Sequence, residues 1–254
     1  MQFLFMNFSK YQTFVFDLDG TIWNTKKLFP GSAETIERLR KKGKQVLFIS
    51  NHTITARVDL VKKLQKLGLH IHENELITAT EGAREFLKGR RGKVLVLGKG
   101  VKKDFRKFGI KFTEKLPVKY VVLGHDPTID YKKLAMIYKA FTQGATILTT
   151  GVGRLFNYGN EMLPGMGSII AAIENMTQKK VLFVGKPSKY MAKLIMKKVK
   201  GKKVVMFGDE LNDDIPFAKS LGWTAVLVLT GVDRKVYGKV KPDYILKSVA
   251  DIKL

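Results

Sequence analysis

The 254-residue chain contains no cysteine, which excludes thiol nucleophiles, iron–sulfur clusters, cysteine zinc sites and disulfides together. Long apolar runs are missing as well. The longest, residues 94–98 and 204–208, hold about five residues each, whereas a membrane-crossing helix needs roughly 20. The first ten residues, MQFLFMNFSK, have no basic opening and too short an apolar stretch for a secretory signal, and Met6 offers a second start. A cytoplasmic protein is expected, with no membrane partner. Acidic residues are the other shortage: 22 Asp and Glu stand against 46 Lys and Arg, a formal net charge of +24. A chain this basic could attract nucleic-acid phosphates by counterion release. Its lysines, however, are spread in pairs such as Lys26–Lys27, Lys102–Lys103 and Lys197–Lys198, with no block of five and no nucleic-acid motif. They read as a solubilising surface, and nucleic acid is not expected as a partner.

What is present is an ordinary core-forming composition, 45% apolar and 27% charged. Short continuous apolar runs alternate with amphipathic stretches, the pattern of a parallel sheet covered by helices. Residues 14–16, 46–49, 181–184, 204–207 and 225–229 read as strands of one sheet. Helical spacing runs through 32–42, 56–67, 188–198 and 214–221, several of them ending at a glycine. The middle of the chain repeats the theme, with strands at 94–97, 120–123 and 146–149 and helices at 131–143 and 168–176. The fold class is therefore α/β: a doubly wound, Rossmann-like core from residues 1–79 and 180–254, with a smaller α/β unit inserted at 80–179.

Polar residues collect where these strands end. Asp17-Leu18-Asp19-Gly20-Thr21 follows the first, Ser50-Asn51 the second, Gly185-Lys186 the run at 181–184, and Gly208-Asp209 with Asp213 and Asp214 the run at 204–207. In an open parallel sheet, ligands bind at the carboxyl ends of strands. Carboxylates, a hydroxyl and an ammonium delivered there suit phosphoryl transfer around Mg2+. A calcium loop fails on spacing, because counting from Asp17 its glycine falls fourth rather than sixth and position 12 is Leu28. Two alternatives remain open: a phospho-acceptor or phosphate-binding regulatory protein without turnover, and a nucleic-acid-associated basic protein.

In this order the motifs resemble the haloacid dehalogenase-like phosphohydrolases, Asp17 to Thr21 being similar to the first motif, Ser50 to the second, Lys186 to the third and Asp209 to Asp214 to the fourth. The long interval from Ser50 to Lys186 resembles the subfamily with a large α/β cap after the second motif, the 4-nitrophenylphosphatase-like and NagD-like phosphatases. Two departures stand out. Asn51-His52 replaces the usual Asn-Asn, and Thr150-Gly151-Val152-Gly153 replaces a more polar cap segment.

The resemblance implies a Mg2+-dependent phosphatase acting through an aspartyl-phosphate on a small phosphorylated metabolite such as a sugar phosphate, a nucleotide or nitrophenyl phosphate. It implies Asp17 as nucleophile and metal ligand, and Asp19 as proton donor and then water activator, its backbone carbonyl on the metal. Thr21 would position that loop, Ser50, Asn51 and His52 would lie at the phosphoryl group, and Lys186 would neutralise it. Asp209 is the second metal ligand, with Asp214, and less so Asp213, behind it. The cap would choose the substrate, with His125 and Arg154 as its candidate contacts and Asp126 and Glu161 next. A homodimer is the assembly expected of such a chain.

Overall fold

The computed structural model describes residues 7–254, so the readings made on the first residues, Met6 included, lie outside the described residues. The core opens with β1 (Thr13–Phe16), α1 (Ser32–Lys41), β2 (Gln45–Ser50), α2 (Arg57–Lys66) and β3 (Leu76–Thr78). The chain continues through α3 (Ala79–Leu87), β4 (Val94–Leu97), α4 (Lys99–Lys107), β5 (Tyr120–Leu123), α5 (Tyr131–Thr142) and β6 (Thr146–Thr149). Then come β7 (Leu155–Tyr158), β8 (Glu161–Pro164), α6 (Met166–Thr177) and β9 (Leu182–Phe183). The last stretch holds α7 (Lys189–Met196), β10 (Val204–Gly208), α8 (Asp214–Ser220), β11 (Thr224–Val228) and β12 (Tyr244–Leu246).

Six strands form one wholly parallel sheet in the order β12-β11-β10-β1-β2-β3. Its strands are apolar on both faces, because both are covered. Phe14, Phe16, Phe48 and Phe207 pack against Ile36 and Leu39 of α1 and Leu60 and Leu64 of α2. Val15, Leu47, Ile49 and Met206 face the other way, against Met191 and Ile195 of α7 and Ile215 and Phe217 of α8. A second parallel sheet, β4-β5-β6-β9, is sandwiched likewise, by α5 and α6 on one face and by α3 and α4 on the other. The strands β7 and β8 form a separate antiparallel hairpin. The doubly wound α/β reading holds. Among the described residues no helix is long and apolar enough to cross a membrane.

Helix ends follow local chemistry. The Asp130 carboxylate accepts the Lys133 N–H at 2.8 Å to open α5, and Glu81 reaches back to the Thr78 N–H at 3.0 Å to open α3. At the far end of α1, Gly43 takes a left-handed turn at φ 68°.

One strand assignment needs correcting. The run at 181–184 was expected in the main sheet, but Leu182 and Phe183 pair with Leu148 and Thr149 at the edge of the second sheet. A four-residue apolar run suits either edge equally, and which sheet it joins depends on the path of the chain. The sixth strand of the main sheet is instead β12, paired with β11.

Candidate active site

Three strands of the main sheet end at one cleft. The last residue of β2 is Ser50, while Asp17 directly follows β1 and Asp209 directly follows β10. Lys186 arrives from the opposite side, three residues beyond β9 of the second sheet. Asn51 makes that crossing precise: its Oδ1 accepts the Lys186 N–H at 2.7 Å and its Nδ2 donates to the Lys186 carbonyl at 3.1 Å. An amide side chain that holds a backbone segment at both polar groups fixes it more firmly than either bond alone. Gly185 beside it leaves the room, since a Cβ there would stand 2.5 Å from Asn51 Oδ1.

The ammonium of Lys186, only 2% exposed, lies between Asp17 Oδ1 and Asp214 Oδ1, the latter at 2.7 Å. The second oxygen of Asp214 accepts the backbone N–H groups of Asp209 and Glu210 at 3.0 and 3.1 Å. Asp209, fully buried, accepts the Thr21 hydroxyl at 3.3 Å on one oxygen and the Val232 N–H at 2.7 Å on the other. Asp17, Asp209 and Asp214 each offer a carboxylate oxygen within 4.8 Å of the others.

Burial raises the proton affinity of Asp17 well above the usual carboxylate range, with Lys186 opposing and Asp214 and Asp209 adding to the rise. Burial and the neighbouring Asp214 push Asp209 up to about 8 and Asp213 up to about 7. Burial alone would favour neutral Lys186, but Asp17 and Asp214 hold its ammonium charged. One ammonium does not balance these carboxylates. The donor set is all hard oxygen, and a divalent cation supplies the missing positive charge, so the residues present fit a bound metal.

Asp19 stands apart from that cluster, across the cleft. Ser50 Oγ donates to its Oδ2 at 3.1 Å, and His52 Nδ1 faces its Oδ1 at 3.3 Å. The Thr55 N–H points at His52 Nε2, 3.3 Å away, which leaves the ring proton on Nδ1 for Asp19. Burial would raise Asp19, yet His52 and Ser50 outweigh it and hold the carboxyl below its ordinary range. The departure at position 52 is thus a contact to Asp19.

The cleft encloses about 670 Å³ and joins Asp17, Asp19, Ser50, Asn51, His52 and Lys186 with Asp213 and His125. His125 comes from the loop after β5, its N–H donating to Thr53 Oγ1 at 3.0 Å and its ring edge-to-face with Phe156 at 4.5 Å. Other expected residues lie elsewhere. Thr21 is buried behind Asp209, and Arg154 is exposed and does not line the cleft. Asp126 is tied to Lys133 at 2.8 Å and to Thr128, and Glu161 is exposed on β8. Sequence reasoning missed two participants. The Asn51 side chain was expected to leave binding to its backbone, and Glu210, which lines the cleft beside Asp213, was passed over. Its only signal was its place directly after Asp209.

Comparisons agree with this geometry. The family model for haloacid dehalogenase-like hydrolases matches residues 14–111, and a related one of that hydrolase class matches 183–252. Phosphoglycolate phosphatase 2 of Arabidopsis thaliana is 30% identical, the match covering 96% of this chain and 93% of the relative. The sugar-phosphatase AraL of Bacillus subtilis (strain 168) is 32% identical over 93% of this chain and 90% of its own. The crystal structure of 4-nitrophenylphosphatase from Thermotoga maritima superposes with a TM-score of 0.85, at 30% identity and 96% coverage of each chain. The chain belongs to the haloacid dehalogenase-like hydrolases. Within them it sits with the NagD-like and 4-nitrophenylphosphatase-type phosphatases, enzymes acting on phosphate monoesters, so the two alternatives without turnover do not hold.

Proposed function

We propose that this chain is a Mg2+-dependent phosphomonoesterase of small metabolites that carries the phosphoryl group on Asp17 during turnover. The observation that carries the proposal is the position of Asp17: it lines the cleft, is paired with Lys186, and is clustered with Asp209 and Asp214. An Asp17 oxygen attacks phosphorus while the ester P–O bond breaks, and Asp19 gives its proton to the departing oxygen. Asp19 then takes a proton from the water that attacks the same phosphorus, releasing inorganic phosphate and restoring Asp17. The His52 contact favours ionised Asp19, the form this second step needs, and an arriving phosphoryl dianion raises its proton affinity for the first. Ser50 and Lys186 hold the phosphoryl oxygens and offset their charge.

Asp17, Asp209 and the Asp19 backbone carbonyl would hold Mg2+, which when bound supplies Lewis-acid stabilisation of the phosphoryl charge. Asp214 supports this site, since both its oxygens already serve three donors. Thr21 serves by orienting Asp209. Residues 80–179 form the substrate-selecting cap, represented in the cleft by His125 and Phe156.

Turnover of 4-nitrophenyl phosphate with Mg2+ by the Asp17→Asn variant tests this reading. We expect activity below about a thousandth of wild type with an unchanged melting transition. A variant that kept a tenth of its activity would exclude Asp17 as nucleophile.

A further inference from the structure

The surface and the cleft differ in charge. The sequence carries 46 Lys and Arg, yet among the described residues Lys186 is the one Lys or Arg lining the cleft, and it is already paired with Asp17 and Asp214. Burial lowers the proton affinity of His125, so its ring adds no cation there at neutral pH. Two carboxylates that catalysis does not use complete the lining, Glu210 and Asp213.

Asp213 accepts the Asn51 side-chain amide at 3.2 Å. The Glu210 carboxylate accepts no hydrogen bond from any described residue, although its backbone is bonded at both ends. Its Oε2 reaches to 4.0 Å from where a Cβ on Gly153 would stand, so it closes on the loop at 150–154 that the second sheet presents. Gly151 and Gly153 give that loop no polar side chain with which to answer it. The rest of the wall is apolar, from Ile54, Leu155, Phe156 and Met166.

A substrate brings a phosphoryl dianion into this cleft. A second anionic group on its leaving portion would meet Glu210 and Asp213 with no cation to receive it. A positive group would pair with Glu210 and rest against the Phe156 ring. We propose that this phosphatase selects phosphate monoesters whose leaving group carries a positive charge, the phosphate esters of amino alcohols, releasing the amino alcohol and inorganic phosphate. The proposal rests on the phosphatase reading and narrows its substrate class. It separates the chain from the phosphoglycolate phosphatases it is similar to, whose named substrate bears a carboxylate.

Three esters of one length test it: 2-aminoethyl phosphate, ethyl phosphate and phosphoglycolate, with 4-nitrophenyl phosphate as the common reference. We expect wild-type kcat/KM to fall in that order. In Glu210→Gln the aminoethyl-to-phosphoglycolate ratio should shrink by about tenfold or more, while ethyl phosphate changes far less. Because the readout is a ratio within one preparation, partial unfolding of the variant cannot imitate it. Faster turnover of phosphoglycolate than of aminoethyl phosphate by the wild type would overturn the proposal. So would a common loss on all esters in Glu210→Gln. A raised Mg2+ requirement with unmoved ratios would also overturn it, showing Glu210 to be a metal ligand instead. If the wild type failed on all four esters, the phosphatase reading would fall, and failure confined to the charge order would leave it standing.

Discussion

Asp209 stands where it does because two glycines leave it room. A Cβ on Gly231 would lie 1.8 Å from Asp209 Oδ2, and one on Gly20 2.2 Å from the same oxygen. Gly20 also takes a left-handed φ of 88°, which a side chain would strain. Gly231→Ala should therefore push Asp209 off the cluster, raising the Mg2+ concentration for half-maximal activity by about tenfold or more, with secondary structure kept. Titration of activity with Mg2+ checks this, and an unchanged half-saturation would show that Asp209 does not bind the metal. At this scale the sequence was most informative for the carboxylates. Asp17, Asp19 and Asp209 are legible because their chemistry needs those residue types right after strands. Gly231, 22 positions beyond Asp209, and the double clamp of Asn51 on Lys186 were not, because each acts through close approach of distant backbone.

Among the elements, α4 shows how a helix of the second unit is tied to the first. Its Asp104 accepts the Arg57 N–H at 2.9 and 3.2 Å, capping α2 from outside that helix. Burial pushes the Asp104 carboxyl up to about 6 from an ordinary 3.8. A raised carboxyl pKa means that the folded state binds the proton more tightly, so stability falls as pH rises from about 4 to 6. Asp104→Asn removes that titration while still offering an oxygen to Arg57. Chemical denaturation at pH 4 and pH 7 should show the wild type losing stability relative to the variant, by at most about 3 kcal/mol. Parallel behaviour of the two proteins would mean that Asp104 is not held protonated. Elements with uninterrupted apolar runs, β1, β2 and β10, were legible within a residue or two. The helix α3 was not, since Gly82 interrupts its pattern to let it approach α7, a Cβ there meeting the Val184 carbonyl at 2.2 Å. The misplacement of β9 has the related cause that pairing partners are chosen by the path of the chain.

For the whole molecule, the main sheet supplies the reacting groups and the second sheet closes the cleft over them. Since His125 lines the cleft and Arg154 does not, His125→Ala should change the relative kcat/KM of different phosphate esters by about tenfold, whereas Arg154→Ala should leave those ratios alone. Ratios measured on three esters decide it; an effect of Arg154 equal to that of His125 would move the specificity contacts to the outer loop. The fold class was legible because alternation of apolar runs with amphipathic stretches admits few architectures. Which loop residues face the cleft was not, because the turn from β6 into β7 sets that. The claim on which the rest depends is that phosphate passes through Asp17. Acid-quenching the enzyme during turnover of 4-nitrophenyl phosphate with Mg2+, then mapping the peptides, tests it most directly. The mechanism requires a hydroxylamine-labile phosphoryl group on the peptide containing Asp17, and turnover with no phosphate on the protein at any time, or with phosphate on another residue, would contradict it.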